Sequence, residues 1–197
     1  MAPPLPFSAT VLASTVAKRY GLSPKEAERA AQTLYERHKA ISYVGTDCRF
    51  LPTSLHGDAR QTLAALADGR VAAAHARAAD PSLRGKAFND DKVDEHYAII
   101  PTGRVPNMAQ LDEAERSVFE TVAKRFVAQF HPDHVFIKNS LAALFGGDEF
   151  RSSSRQVVRQ GWKEVEGDVQ GEGEDADDLD TDQHAQADRA APRGPRQ

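Results

Sequence analysis

Ile41-Ser42-Tyr43-Val44-Gly45-Thr46-Asp47-Cys48 places one tyrosine at the end of a short apolar run, just after a long amphipathic segment and just before a polar Thr-Asp pair. A tyrosine hydroxyl held beside groups that bind phosphate can act as a nucleophile on a phosphodiester. The same pattern also describes a tyrosine that ends a strand as a packing residue with its hydroxyl in water. Spacing alone leaves both readings open, and the flanking sequence has to decide.

Upstream, Ser8 offers an N-cap, Val11, Leu12, Val16 and Tyr20 recur at helical spacing, and Gly21 supplies a C-terminal stop. Ser23-Pro24-Lys25-Glu26 then combines a capping serine, a proline at the first helical position and a glutamate three residues beyond the cap. Ala27, Ala30, Ala31 and Leu34 form the buried stripe of this second helix, with Tyr35 at its edge. Two helices joined by a Gly-Leu link and followed by an extended segment read as a helix-turn-helix or winged-helix unit, which packs helices in many proteins and binds DNA in some. Lys18, Arg19, Lys25, Arg29, Arg37 and Lys39 are the charges available for phosphates. Glu26 and Glu28 make Lys25 and Arg29 read as solvated surface.

Leu34-Tyr35-Glu36-Arg37-His38-Lys39 runs into Tyr43, Thr46-Asp47-Cys48 is followed by Phe50-Leu51-Pro52, and Asp94-Glu95-His96-Tyr97-Ala98-Ile99-Ile100-Pro101-Thr102 comes later. This order resembles the type IA DNA topoisomerases, within them the bacterial topoisomerase III branch, over roughly residues 4 to 163. In that family a helix ending in Leu-Tyr-Glu leads to a Tyr-Pro-Arg-Thr-Asp motif, and a His-x-Ala-Ile-Ile-Pro segment returns to the site. The resemblance implies ATP-independent cleavage and religation of one DNA strand through a tyrosyl-phosphate intermediate. It makes Tyr43 the nucleophile and His96 the residue that hydrogen-bonds near the scissile phosphate. Thr46 and Asp47 match the motif and serve to orient the turn. Read from the residues themselves, Arg37, Lys39, Arg49 and Lys92 are candidate phosphate contacts, Arg49 by its closeness in sequence.

The match is incomplete at the motif itself. A free tyrosine titrates near pH 10 (about pKa 10), so the reaction needs a base or cations, and part of that charge comes in the family from the arginine two residues after the tyrosine. Here that position is Gly45, and the intervening proline is Val44. Arg49 is the nearest arginine that follows, six residues beyond the tyrosine.

After the motif, residues 52–67 read as a helix with Leu55, Leu63 and Leu66 inward, and residues 70–79 as an alanine-rich helix ending at Asp80-Pro81. Residues 82–110 are polar and irregular, broken by Gly85, Pro101, Gly103 and Pro106, yet Ala98-Ile99-Ile100 argues against disorder. Asp112 and Glu115 form a second capping box, opening a helix lined by Val118, Phe119, Val122, Ala123, Phe126 and Phe130. Beyond His131-Pro132, Val135, Ile137, Asn139 and Leu141 alternate as a strand, Gly146-Gly147-Asp148 is a turn, and residues 149–158 form a return strand. The expected architecture is therefore α+β. A mainly helical, winged-helix-like tyrosine domain covers 1–132, a partial β arch 133–163, and a disordered acidic tail 164–197.

Composition sets limits on these readings. The 197 residues fit one domain with a tail, whereas type IA enzymes are several times longer and carry an acidic, metal-binding Toprim domain ahead of the tyrosine domain. The chain is accordingly expected to be a truncated tyrosine domain, inactive alone. Magnesium is expected for the full-length family enzyme and no cofactor in this chain. The expected partners are single-stranded or negatively supercoiled DNA, and a Toprim-bearing polypeptide. The other function class is a non-catalytic DNA-binding module derived from the same domain.

Residues 1–163 hold 22 Lys and Arg against 18 Asp and Glu, while residues 164–188 hold 11 acids and neither base. A mildly basic folded part thus precedes a strongly acidic tail. A single cysteine, Cys48, excludes an internal disulfide and reads as a small buried residue in a reducing compartment. His131 and His134 straddle a helix stop without further ligands and do not make a metal site. With no long apolar run and no leader pattern, the expected location is the cytoplasm, away from membranes.

Overall fold

The computed structural model describes residues 1–146 and 148–167, of which Met1–Gly167 make one compact unit. Six α-helices and one hairpin follow in order: α1 Ala9–Tyr20, α2 Pro24–Glu36, α3 Ser54–Asp68, α4 Ala73–Ala78, α5 Glu113–Ala128, β1 Val135–Phe145, β2 Asp148–Arg159 and α6 Lys163–Glu166. The mixed helix-and-hairpin class is as the sequence implies. Among the described residues, no helix is long and apolar enough to cross a membrane.

Local chemistry accounts for the helix boundaries. The Ser23 hydroxyl accepts from the Glu26 amide while the Glu26 carboxylate accepts from Ser23, so both arms of the α2 capping box are closed. Asp112 and Glu115 close the equivalent box on α5. Helix α1 stops at Gly21, whose φ of 71° is left-handed and whose amide returns to the Ala17 carbonyl. Helix α3 has no side-chain cap of its own; Asp90, from a short 3-10 turn, accepts instead from the Thr53 amide at 2.8 Å and hydroxyl at 2.6 Å. Those two donors, the hydroxyl foremost, hold the Asp90 carboxyl below its ordinary value. Helix α4 is shorter than the alanine run suggests, because Ala72 sits in the left-handed region at φ 53° and the helix begins only after it.

Helix α5 is the centre of the core. Val118, Phe119, Val122, Ala123, Phe126 and Val127 are buried along it, and it packs on α1, α2 and α6. Phe7, Leu34, Ile41, Leu51 and Ile99 bring the irregular segments onto the same core. These segments pair by single bridges, Phe7 with Ile99, Ile41 with Pro101 and Leu51 with Phe88.

The expected tail boundary at residue 164 needs correcting. Val165 and Glu166 are buried, and the Glu166 carboxylate pairs with the Arg125 guanidinium in the interior. Arg125 also donates to the Leu5 carbonyl at 2.9 Å and lies over the Phe7 ring, so α6 and the N-terminal segment share one anchor on α5. The acid-rich remainder of the expected tail lies outside the described residues.

The hairpin is antiparallel, with Phe136 opposite Val157 and Phe145 opposite Asp148, and a register irregularity at its base between Val135 and Phe136. Ile137, Leu141, Leu144, Phe145 and Phe150 are all exposed on it. His131 and His134 sit at its foot, each with a ring nitrogen against a different backbone carbonyl, His75 at 3.0 Å and Gln160 at 3.1 Å. Burial pushes the His131 ring below its ordinary value.

Candidate active site

The loop carrying Tyr43 is held from both sides by the segment that returns at His96. After α2, Lys39 takes a left-handed conformation at φ 52° and turns the chain into residues 40–42, where Ile41 bridges to Pro101. The Thr102 amide donates to the Ala40 carbonyl at 3.0 Å, the Thr102 hydroxyl to the Lys39 carbonyl at 2.6 Å, and the Ser42 amide to the Ile100 carbonyl at 2.9 Å. Ser42 is buried, and its hydroxyl both donates to the Ala98 carbonyl and accepts from the Ile100 amide. On the far side of the tyrosine, the buried Thr46 hydroxyl donates to the His96 carbonyl at 3.4 Å and accepts from the Cys48 amide at 3.1 Å. The Thr46 carbonyl accepts from the Ala9 amide at the start of α1.

Between these two clamps Tyr43 is 40% exposed. Its ring lies 4.5 Å, centroid to centroid, from His96 and 5.6 Å, edge-on, from Tyr35 on α2. Lys39 extends this row at its other end, with its ammonium 5.6 Å from the Tyr35 ring. Val44 turns inward beside Leu12, Ala31 and Ile99, while Gly45 faces out. The Tyr43 hydroxyl rests on Gly45, so closely that a Cβ built there would be 2.5 Å from it.

The structure thus brings together Tyr43, His96 and Thr46, with Lys39 at the end of the aromatic row. Lys92 is exposed, with its ammonium 4.9 Å from the Phe50 ring and its carbonyl 3.5 Å from the Cys48 sulfur, which ties it to the same loop. Arg37, the C-cap of α2, and Asp47 are exposed. Arg49 is placed differently from the expectation. It is half-buried, and its guanidinium donates to the Pro6 and Leu5 carbonyls at 2.9 Å each, which ties it to the N-terminal segment. Cys48 is likewise half-buried, its sulfur 3.3 Å from the Phe50 amide.

Two residues that sequence reasoning left without a role complete the arrangement. Tyr35 read as the edge of a helical stripe, and only the turn at Lys39 carries its ring to Tyr43. Ser42 stands in the quoted stretch, but no spacing rule signals a hydroxyl that bridges to residues more than fifty positions on. Among the described residues there is no cluster of three or more His, Cys, Asp or Glu side chains able to hold a metal ion.

Comparison with known proteins gives a consistent set of matches. The family model described as DNA topoisomerase matches residues 1–192. DNA topoisomerase 3 of Vibrio cholerae is 38% identical over 167 residues, which are 84% of this chain and 26% of that protein. DNA topoisomerase 3 of Salmonella typhimurium is 34% identical over 164 residues, 83% of this chain and 25% of that one. The chain thus spans about a quarter of the length of these relatives. Among solved structures, full-length topoisomerase I from Thermotoga maritima superposes with a TM-score of 0.57 at 20% identity, covering 84% of this chain and 27% of that one, and so shares its fold.

Proposed function

Because this chain belongs to the type IA DNA topoisomerases, on the topoisomerase III branch, we propose that it is the tyrosine-bearing part of an ATP-independent strand-cleaving and religating machine acting on single-stranded or negatively supercoiled DNA. The observation that carries this reading is the exposed Tyr43 set against His96 by two backbone clamps. The Tyr43 hydroxyl attacks the phosphorus of one phosphodiester, a tyrosyl-phosphate bond forms, and the bond to the leaving sugar oxygen breaks to give a free hydroxyl. The reverse attack by that hydroxyl reseals the strand and frees Tyr43. The phosphodiester energy is kept in the covalent link, so no nucleotide is consumed.

His96 is suited to donate a hydrogen bond to the phosphate beside Tyr43. Lys39, Lys92 and Arg37 supply positive charge for the flanking backbone, with Thr46 and Asp47 shaping the turn. Helices α1 and α2 with the extended run after them act as the winged-helix-like platform that carries these groups.

Alone, this chain is inactive in our reading. Position 45 provides no guanidinium, Arg49 is committed to backbone carbonyls, and no acidic cluster appears among the described residues. Losing one charge-stabilising donor costs about 2.7–4 kcal/mol in the transition state, roughly a hundred- to thousandfold in rate. A Toprim-bearing polypeptide is the partner that would supply the acidic metal site. Gly45 also supports a second reading, a non-catalytic DNA-binding module that keeps this platform.

Titration with a labelled single-stranded oligonucleotide and a relaxation assay with magnesium test the proposal together. The expected outcome is salt-sensitive binding, weakened by Lys39→Ala and Lys92→Ala, with no relaxation of supercoiled plasmid. Robust relaxation by the chain alone contradicts its inactivity, and binding indifferent to salt and to both lysines contradicts the assigned interface.

A further inference from the structure

Glycine is usually required where φ is positive, and Gly21, Gly103, Gly146, Gly161 and Gly167 meet that condition here. Gly45 does not, so its backbone alone would accept an alanine. What it would not accept is the side chain of Tyr43. A Cβ at position 45 falls 2.5 Å from the Tyr43 hydroxyl oxygen, 2.8 Å from Cζ and 3.1 Å from Cε1. These three nearest contacts are with the far end of one exposed side chain, which can give way by rotating. Substitution at 45 is therefore predicted to leave the loop standing and expel the ring.

From this we infer that Gly45 is a positioning residue for the nucleophile: its missing side chain is the space in which the Tyr43 hydroxyl rests, and that space holds the ring between Tyr35 and His96. Ser42 and Thr46 are both buried and bonded to the returning segment, so the peptide backbone on either side of Tyr43 is fixed. Val44 is turned into the recess between α1 and α2, leaving rotation of the Tyr43 side chain as the available response. The arginine that the family motif carries at this position is incompatible with the ring orientation seen here. A chain with glycine at 45 thus keeps its tyrosine folded back on the loop, against His96, before any DNA arrives. This deepens the proposed function and rests on it for the word nucleophile, but the geometry is tested without DNA.

Proton NMR of the full chain in the absence of DNA provides the test. Nuclear Overhauser contacts are expected from the Tyr43 ring to the Gly45 α-protons and to the His96 ring. The Gly45 α-protons are expected to be shifted upfield by the ring above them, and that shift to vanish in Tyr43→Leu. Gly45→Ala is expected to abolish the Tyr43–His96 contacts, whereas Gly57→Ala, at an open position on α3 where nothing lies within 4 Å of an added Cβ, leaves them intact. Tyr43–His96 contacts that persist in Gly45→Ala, or that are lost in Gly57→Ala as well, overturn the inference. Should Gly45→Ala not fold, the wild type and Tyr43→Leu decide: Gly45 protons that do not respond to removal of the ring overturn it equally. Because DNA is absent throughout, failure of this test is distinguishable from failure of cleavage.

Discussion

Ser42 shows how much of the site rests on single atoms. Its hydroxyl donates to the Ala98 carbonyl at 3.0 Å and accepts from the Ile100 amide at 2.9 Å, all within the buried interior beside Tyr43. Ser42→Ala removes both partners at once and leaves a buried donor and a buried acceptor unmet. The expected loss is about 1–3 kcal/mol of folding stability, measurable as a lowered denaturant midpoint. Ser42→Thr, which retains the hydroxyl, should lose less. An unchanged midpoint in the alanine variant would show that the returning segment is held by other contacts. Arg49 shows the same dependence on backbone groups: it lies close in sequence to Tyr43, and its guanidinium donates to the Leu5 and Pro6 carbonyls.

At the scale of elements, α5 carries the core and its cap can be weighed. Asp112 accepts from the Glu115 amide at 2.8 Å, and that bond, ahead of the Arg29 guanidinium, holds its carboxyl below the ordinary value. A carboxyl depressed in the folded state stabilises the fold above its unfolded pKa, about 3.9, and that contribution is lost as pH falls through the folded value. Asp112→Ala is expected to cost about 1 kcal/mol at neutral pH and to narrow its difference from wild type in acid. Urea unfolding at neutral and acid pH checks both, and a difference that does not shrink on acidification contradicts the role given to the carboxylate.

This helix also shows what the sequence made legible. Caps act over three residues, so both capping boxes and the Gly21 stop could be read directly, and the apolar stripe of α5 followed from its period. The isoleucines at 99 and 100 marked an ordered segment within an otherwise polar stretch for the same local reason. What escaped was long-range: Asp90 capping α3, Tyr35 reaching Tyr43 through the turn at Lys39, and Arg125 pairing with Glu166 forty-one residues away. An acidic composition hid α6, because Val165 is a single apolar residue and only its burial reveals it. The space above Gly45 had no signal at all, since a glycine in a loop reads as a turn until the ring that fills it is placed.

For the whole molecule, the charge split becomes a prediction with a defined cut point. Residues 168–188 hold 9 acids and neither Lys nor Arg, and this charge is expected to compete with DNA for the basic charges of the folded unit. Removing residues 168–197 is expected to tighten single-stranded DNA binding at low salt, with the gain shrinking as salt rises. Equal affinity with and without those residues contradicts the competition. A cut at 164 is the wrong experiment, because it takes away Val165 and the carboxylate opposite the buried Arg125, and breaking such a pair costs about 3–5 kcal/mol.

Covalent capture tests whether Tyr43 is the nucleophile. Residues 1–167 are placed in the Vibrio cholerae relative in exchange for the segment they match, and the chimera is incubated with an end-labelled single-stranded oligonucleotide and magnesium before denaturing electrophoresis. A weak protein–DNA adduct is predicted, absent in Tyr43→Phe. An adduct that survives Tyr43→Phe, or no adduct in the unsubstituted chimera, would contradict Tyr43 as the nucleophile.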